Sequence, residues 1–122
     1  YGDSNVFVEQ LGEYYSYRHG MECVAVRIGT VIPNESEHWE RGGRLQATAF
    51  LKSDVANFFS SAVATDYSAW DPKTCEGHPE VNNYLITAAQ SESPNRFIDL
   101  EPGLTALGWS PIAWPNGPEN LQ

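Results

Sequence analysis

The sequence predicts an α/β unit, and three observations carry that expectation. A segment with helical spacing near the N-terminus runs into a glycine, and a nearly unbroken β-branched run follows it directly. A second helix-like segment and a later short strand lie beyond a polar stretch. Helix, glycine and buried strand make half of a β-α-β crossover, whose other strand would have to precede Tyr1.

Asp3 or Ser4 can cap the first helix, in which Phe7, Leu11, Tyr14 and Tyr15 recur at helical spacing with Val8 and Arg18 flanking the stripe. His19-Gly20 supplies a basic last turn and a C-cap glycine. Gly12 inside this helix costs about 1 kcal/mol against alanine, so packing has to supply what propensity does not. Met21 to Pro33 contains Cys23-Val24-Ala25-Val26 and Arg27-Ile28-Gly29-Thr30-Val31-Ile32, the pattern of a strand covered on both faces in a parallel sheet. Residues 34–43 are polar, contain Gly42-Gly43 and read as a loop. Arg44 to Leu51 reads as a short strand or an irregular segment, and Ser53-Asp54 as the cap of a helix from about Val55 to Thr65. Residues 67–82, with Pro72, Gly77 and Pro79, are expected to form an exposed loop, and Tyr84 to Ala88 a strand. Pro102 to Leu107 fits a short helix closed by Gly108, and the tail after Pro111 is expected to be irregular.

Length and charge bound the function. A chain of 122 residues fits a single domain, here read as one partial domain, with a helix-strand unit at about 1–33 and further segments at about 34–122. Apolar residues make up 41% and charged residues 19%, the balance of a globular chain. The formal net charge of -9, from 16 acidic against 7 basic residues, gives phosphate backbones no electrostatic support, so no nucleic-acid partner is expected. Only Lys52 and Lys73 are lysines, a bias shared by salt-adapted and by ordinary acidic proteins. Cys23 and Cys75 form neither a disulfide framework nor a spaced metal site, and a site built from the scattered His19, His38 and His78 is not expected. No run approaches the roughly 18 apolar residues of a membrane span and no signal-peptide order is present, so no membrane partner and a cytoplasmic location are the expectation. The start at Tyr1, within a helix entry, is what a fragment of a longer chain would give.

Three stretches in order resemble the extended short-chain dehydrogenase/reductases of the nicotinamide-dependent epimerase/dehydratase family. Tyr1-Gly2-Asp3-Ser4-Asn5, followed by a helix containing Glu9, is similar to that family's Tyr-x-x-x-Lys active-site helix. Gly20 to Gly29 is similar to the strand that follows, with its Arg-x-Gly ending. Phe97-Ile98-Asp99-Leu100 through Ala106-Leu107-Gly108-Trp109-Ser110-Pro111 resembles the closing segment, in which a short helix ends in Leu-Gly-Trp-x-Pro. The nearest pattern is uronate dehydrogenase, whose counterparts here are Arg27-Ile28-Gly29-Thr30, Arg44-Leu45-Gln46-Ala47-Thr48-Ala49 and Asp54. The resemblance covers nearly the whole chain apart from residues 67–82. It implies the C-terminal part of a Rossmann-like fold, lacking the N-terminal nucleotide-binding half.

The same resemblance implies the site. Tyr1 takes the place of the catalytic tyrosine, whose hydroxyl exchanges a proton with the substrate. A free phenol with a pKa of about 10 is only about 0.1% ionised at pH 7, so a nearby cation has to lower that pKa. The family's lysine one helical turn later is replaced by Asn5, which can hold a cofactor ribose hydroxyl but carries no charge. Arg44 is implied as the partner of a substrate carboxylate and Thr30 as a partner of a sugar hydroxyl, each against a plain alternative as a loop residue. Arg27, inside an apolar strand, reads as a structural residue paired with a carboxylate. Trp70, Trp109 and Trp114 read as packing residues. NAD or NADP belongs to a full-length parent, since the chain shows no glycine-rich turn of Gly-x-x-Gly spacing.

The implied function is the substrate-binding half of a nicotinamide-dependent sugar or sugar-acid dehydrogenase or epimerase, inactive as an isolated chain. Its implied partners are the missing N-terminal half, or a second copy through the unpaired edge of the first strand. The alternative is a non-catalytic interaction subunit, a dehydrogenase remnant that binds another chain. Sequence upstream of Tyr1 discriminates the two, because only the enzyme requires a glycine-rich β-α-β unit there.

Overall fold

A computed structural model describes residues 1–32, 44–67, 83–93 and 95–111. The expected loop at 34–43, the expected loop at 67–82 apart from Tyr67, the irregular tail, Cys75, Trp70, Trp114, His38 and His78 lie outside the described residues. Within them the element order is α1 (Gly2–His19), β1 (Cys23–Ile28), β2 (Thr30–Ile32), α2 (Arg44–Thr48), β3 (Ala49–Leu51), α3 (Lys52–Ala64), β4 (Tyr84–Ala89) and α4 (Glu101–Leu107). The described residues form a mixed α/β structure with two small parallel sheets. β1 pairs with β4 from Cys23↔Tyr84 to Ile28↔Ala89, and β2 pairs with β3 from Thr30↔Ala49 to Ile32↔Leu51.

The residues from Met21 to Pro33 do not form one strand buried on both faces. The run breaks at Gly29, and β1 grades from half-buried to exposed toward Ile28. The strand with the more continuous burial is β4, where Tyr84, Leu85, Thr87, Ala88 and Ala89 are all buried. The break has a steric cause. A Cβ at Gly29 would stand 2.3 Å from the Thr48 carbonyl oxygen and 3.0 Å from the Gln90 Cβ, while the Gly29 amide donates to the Ala89 carbonyl. The chain therefore changes sheet partner, from β4 to β3, at a position where only glycine lets two backbones come this close.

Two side-chain faces follow from the pleat. On one face of β1–β4, Arg27 reaches Glu9 of α1, and Tyr84 and Cys23 lie against Gly12. On the other face Val24, Val26, Leu85 and Ala89 join the main core with Phe50, Phe58, Leu100, Leu107 and Trp109. The Phe58 and Trp109 rings meet edge to face with centroids 5.1 Å apart, and Phe50 meets both in the same manner, an arrangement that the ring quadrupoles favour. Trp109 is thus the packing residue that the sequence led us to expect.

Helix starts differ from the sequence reading. Neither Asp3 nor Ser4 caps α1, which begins at Gly2, and the Ser4 hydroxyl turns back to donate to the Tyr1 carbonyl at 2.7 Å. Ser53-Asp54 does not cap α3 either, because α3 starts at Lys52 with Leu51 in extended backbone at the N-cap. Asp54 is fully buried inside the first turn of α3 and accepts a hydrogen bond from the Ser91 hydroxyl, which in turn accepts from the Leu51 amide at 2.9 Å. Arg44 to Leu51 is α2 followed by β3 rather than a single strand or irregular segment. The α1 C-cap at Gly20 and the α4 C-cap at Gly108 take the left-handed φ values of 65° and 59° that suit glycine.

α1 lies on the sheet through its small and polar side. Gly12 sits where a Cβ would be 3.1 Å from the Tyr84 ring, and the Tyr84 hydroxyl donates to the Glu9 carbonyl at 2.6 Å. Ser16 is buried and donates to the Asn83 carbonyl, while the Asn83 amide donates to the Met21 carbonyl at 2.9 Å. The Phe7, Leu11 and Tyr14 stripe points the other way and is exposed.

Burial, and secondarily the negative charges of Glu9 and Glu13, push the Tyr84 phenol up to about 12 from its usual 10. Its folded pKa is raised, so its contribution to stability is complete below pH 10 and is lost as pH rises toward 12. Denaturant midpoints are expected to fall across that window. Tyr84→Phe is expected to remove this alkaline limb while costing on the order of 1 kcal/mol at neutral pH for the lost hydrogen bond. Midpoints of the variant that still fall in parallel with those of the parent would show that another group titrates there.

Candidate functional site

The site is assembled at the carboxyl end of the parallel strands. α1 runs against β1, so its first turn lies beside the end of β1 at Ile28. Tyr1 and Asn5, one turn apart, line a groove of about 480 Å³ with Val8, Glu9 and the length of β1 from Val24 to Ile28. No described strand pairs with that outer edge of β1. Tyr1 is fully exposed.

Glu9 and Arg27 share the same groove as a bidentate pair, with Arg27 Nε 2.8 Å and Nη2 3.0 Å from the two carboxylate oxygens. The hydrogen bonds from Arg27 hold the Glu9 carboxyl below its ordinary range, and the same contact holds the guanidinium above its own. Glu9 stabilises the fold above its ordinary pKa near 4.5, and that contribution is lost as pH falls through the lowered folded value. Arg27 is therefore paired with a carboxylate, as its position in an apolar strand suggested, although its side chain is two-thirds exposed.

Thr30 and Arg44 form a second group, beyond Gly29. The Thr30 and Thr48 hydroxyls are 3.0 Å apart, and the Thr48 hydroxyl donates to the Arg44 carbonyl at 3.1 Å. One threonine thus ties the start of β2 to the single turn of helix that begins at Arg44. Gln90, buried at the end of β4, donates to the Ala47 carbonyl at 3.2 Å and leaves its Oε1 without a partner. The two groups are separate in contact. Tyr1 and Asn5 line the groove on the α1 side of β1, and Thr30 and Arg44 follow its end.

Thr48 and Gln90 carried no signal in the sequence, because a threonine and a glutamine in short segments match no spacing rule. Glu9 was visible as part of a helix, but its pairing with Arg27 needed the register of α1 on β1. On the α3 side of the sheet, a shallower groove of about 320 Å³ is lined by Glu22, Phe59, Val63 and Tyr67 among others. Burial raises the Tyr67 phenol pKa, with the Glu22 charge contributing, and its hydroxyl donates to the Ala62 carbonyl.

Among the described residues no strand-to-helix junction carries a glycine-rich turn. Strand β3 passes directly from Leu51 into α3 at Lys52, with no glycine at the junction, whereas a pyrophosphate needs a glycine-rich turn there. The left-handed glycines, Gly20 and Gly108, stand at helix C-termini, where carbonyls and not amides face outward. Among the described residues no group of three or more His, Cys, Asp or Glu could hold a metal ion, and no helix is long and apolar enough to cross a membrane.

Fold and groove together define a mixed α/β unit whose polar side chains gather at the carboxyl ends of parallel strands. No protein-family model matches the chain, and no solved structure matches it. The chain is similar to the "Uncharacterized protein YtbQ" of Bacillus subtilis (strain 168), with 24% identity over 111 residues, which are 91% of this chain and 38% of that protein. It thus spans less than half the length of this relative.

Proposed function

We propose that the chain is the substrate-side half of a Rossmann-like, nicotinamide-dependent oxidoreductase or epimerase acting on a sugar or sugar acid, and that it is inactive by itself. One observation carries the reading. Tyr1 and Asn5 line a single groove at the carboxyl end of parallel strands, the end at which open α/β sheets bind ligands. In this reading Tyr1 Oη exchanges a proton with a substrate hydroxyl, Thr30 accepts or donates to a neighbouring hydroxyl, and Arg44 pairs with a carboxylate. NAD or NADP would supply hydride transfer and would be held by the nucleotide half of a full-length parent, with Asn5 reaching its ribose. The missing half would then be the partner that covers the edge of β1 with which no described strand pairs, in a cytoplasmic enzyme.

Calorimetric titration of the chain with hexuronates, NAD and NADP tests the reading. Neither nucleotide is expected to bind. A hexuronate is expected to bind weakly, and Arg44→Ala to weaken it by about tenfold, the scale of one charge-assisted pair. Micromolar binding of either nucleotide would overturn the assignment of the halves, and hexuronate binding unchanged by Arg44→Ala would remove Arg44 from the site.

The second reading, a non-catalytic subunit, is favoured by Asn5. An amide cannot replace the charge that lowers a phenol pKa, and a remnant would have no reason to keep that charge.

A further inference from the structure

The short helix α2 carries Arg44 at its first position, and a helix of five residues does not hold its own shape. Most carbonyls of so short a helix lack a partner inside it, so side chains decide where it sits. Two do so. The Thr48 hydroxyl donates to the Arg44 carbonyl at 3.1 Å, and Gln90, from the end of β4, donates through Nε2 to the Ala47 carbonyl at 3.2 Å. The next residue continues the clamp, since the Ser91 amide donates to the Ala49 carbonyl and the Ser91 hydroxyl accepts from the Leu51 amide, each at 2.9 Å. Residues 47, 49 and 51 are thus pinned in turn to residues 90 and 91.

Packing alone does not account for an amide at position 90. Gln90 is fully buried, its Cβ stands 3.0 Å from where a Gly29 Cβ would be, and its Oε1 has no hydrogen-bond partner. A buried acceptor without a donor costs stability, and a methionine of similar length would fill the same space without that cost. What the amide adds is the Nε2 donor, engaged with a carbonyl of the turn that bears Arg44.

We propose that Gln90, with Thr48, is a positioning residue, which fixes α2 on the end of β4 so that the exposed Arg44 is held ready for a carboxylate beside Thr30. The assignment rests on the reading of Arg44 as the partner of a substrate carboxylate. Through the 3.0 Å contact of the Thr30 and Thr48 hydroxyls, the same turn also sets the spacing between the hydroxyl-binding and the carboxylate-binding positions. Two contacts held at one spacing before the ligand arrives select a sugar acid over the matching neutral sugar.

Calorimetric titration of the 122-residue chain with glucuronate, and with glucose as the counterpart that has no carboxylate, tests this role. Gln90→Met and Thr48→Val are each expected to cut the preference for glucuronate over glucose severalfold. Each is expected to cost little more when added to Arg44→Ala, because all three act through one guanidinium. The denaturation midpoint of Gln90→Met is expected to equal or exceed that of the parent, which a merely structural glutamine would not allow. A preference unchanged in both variants, losses that add fully to that of Arg44→Ala, or a lowered Gln90→Met midpoint would overturn the proposal. Failure of the underlying reading looks different. In that case the parent itself shows no preference for glucuronate, or Arg44→Ala does not reduce it, and the role of Gln90 falls with it.

Discussion

Replacing Gly29 with alanine is expected to destabilise the protein by about 3 kcal/mol, near the upper end for forcing extra volume into a packed site. The new Cβ would meet the Thr48 carbonyl oxygen at 2.3 Å, a backbone atom that cannot rotate away, and Gln90 closes the other side. Relief requires either β2 to part from β3 or the α2 turn to shift. Either movement also disturbs the Thr30 and Thr48 hydroxyl contact, so the change is structural and local to the site at once. Gly103→Ala is the informative control. There the nearest atom is the Thr87 hydroxyl at 2.7 Å, on a side chain that can turn, so a smaller loss is expected. Denaturant unfolding of the two variants measures the difference. Equal midpoints for Gly29→Ala and the parent would mean that the chain does not change sheet partner at this glycine.

If the chain is the substrate-side half of a nicotinamide-dependent enzyme, as proposed, then in the parent that carries both halves Asn5→Lys is expected to raise turnover at neutral pH by about tenfold for each unit by which the Tyr1 phenol pKa falls. The lysine would stand one helical turn from Tyr1 on the groove side. Its charge would not be absorbed by Glu9, because both Glu9 oxygens are already engaged by Arg27. Tyr1→Phe in that background is expected to abolish the gain. The pH profile separates a catalytic effect from a structural one, since only the former moves the pH at which the rate rises. Should both substitutions be silent, Tyr1 is a surface aromatic and the interaction-subunit reading replaces the enzyme.

Much of the secondary structure was legible, for reasons that differ by element. Gly20 and Gly108 marked helix ends because a left-handed C-cap depends on one residue alone, and Tyr84 to Ala88 read as a strand from its local composition. Caps failed as a guide at Asp3 and Asp54. A side chain that can cap a helix can equally be drawn into a tertiary contact, as the Ser91 hydroxyl draws Asp54 into the core. The break at Gly29 was hidden in an apolar run because its cause, the Thr48 carbonyl, lies well along the chain and on another element.

The candidate site was legible only as types of residue. Tyr1 and Asn5 were expected to share a helix face, and the groove brings them together. Thr30 and Arg44 are connected through Thr48, which no spacing rule singled out. The α1 stripe illustrates a further limit, because periodicity reports that a helix has an apolar side but not whether that side meets its own sheet. The sheet side was set instead by Gly12, whose lack of a side chain admits the Tyr84 ring.

The two parallel ladders also impose an order of events on folding. Thr30 reaches Ala49 across a connection about three times shorter than the one between Cys23 and Tyr84, so closing the shorter loop costs about 1 kcal/mol less in chain entropy. β2, β3 and the α3 turn can therefore collapse first around Phe50 and Phe58, leaving β1 to wait for β4. Until β4 arrives, β1 has no partner among the described strands, and the slow step of folding is also the interval in which the chain is most exposed to aggregation.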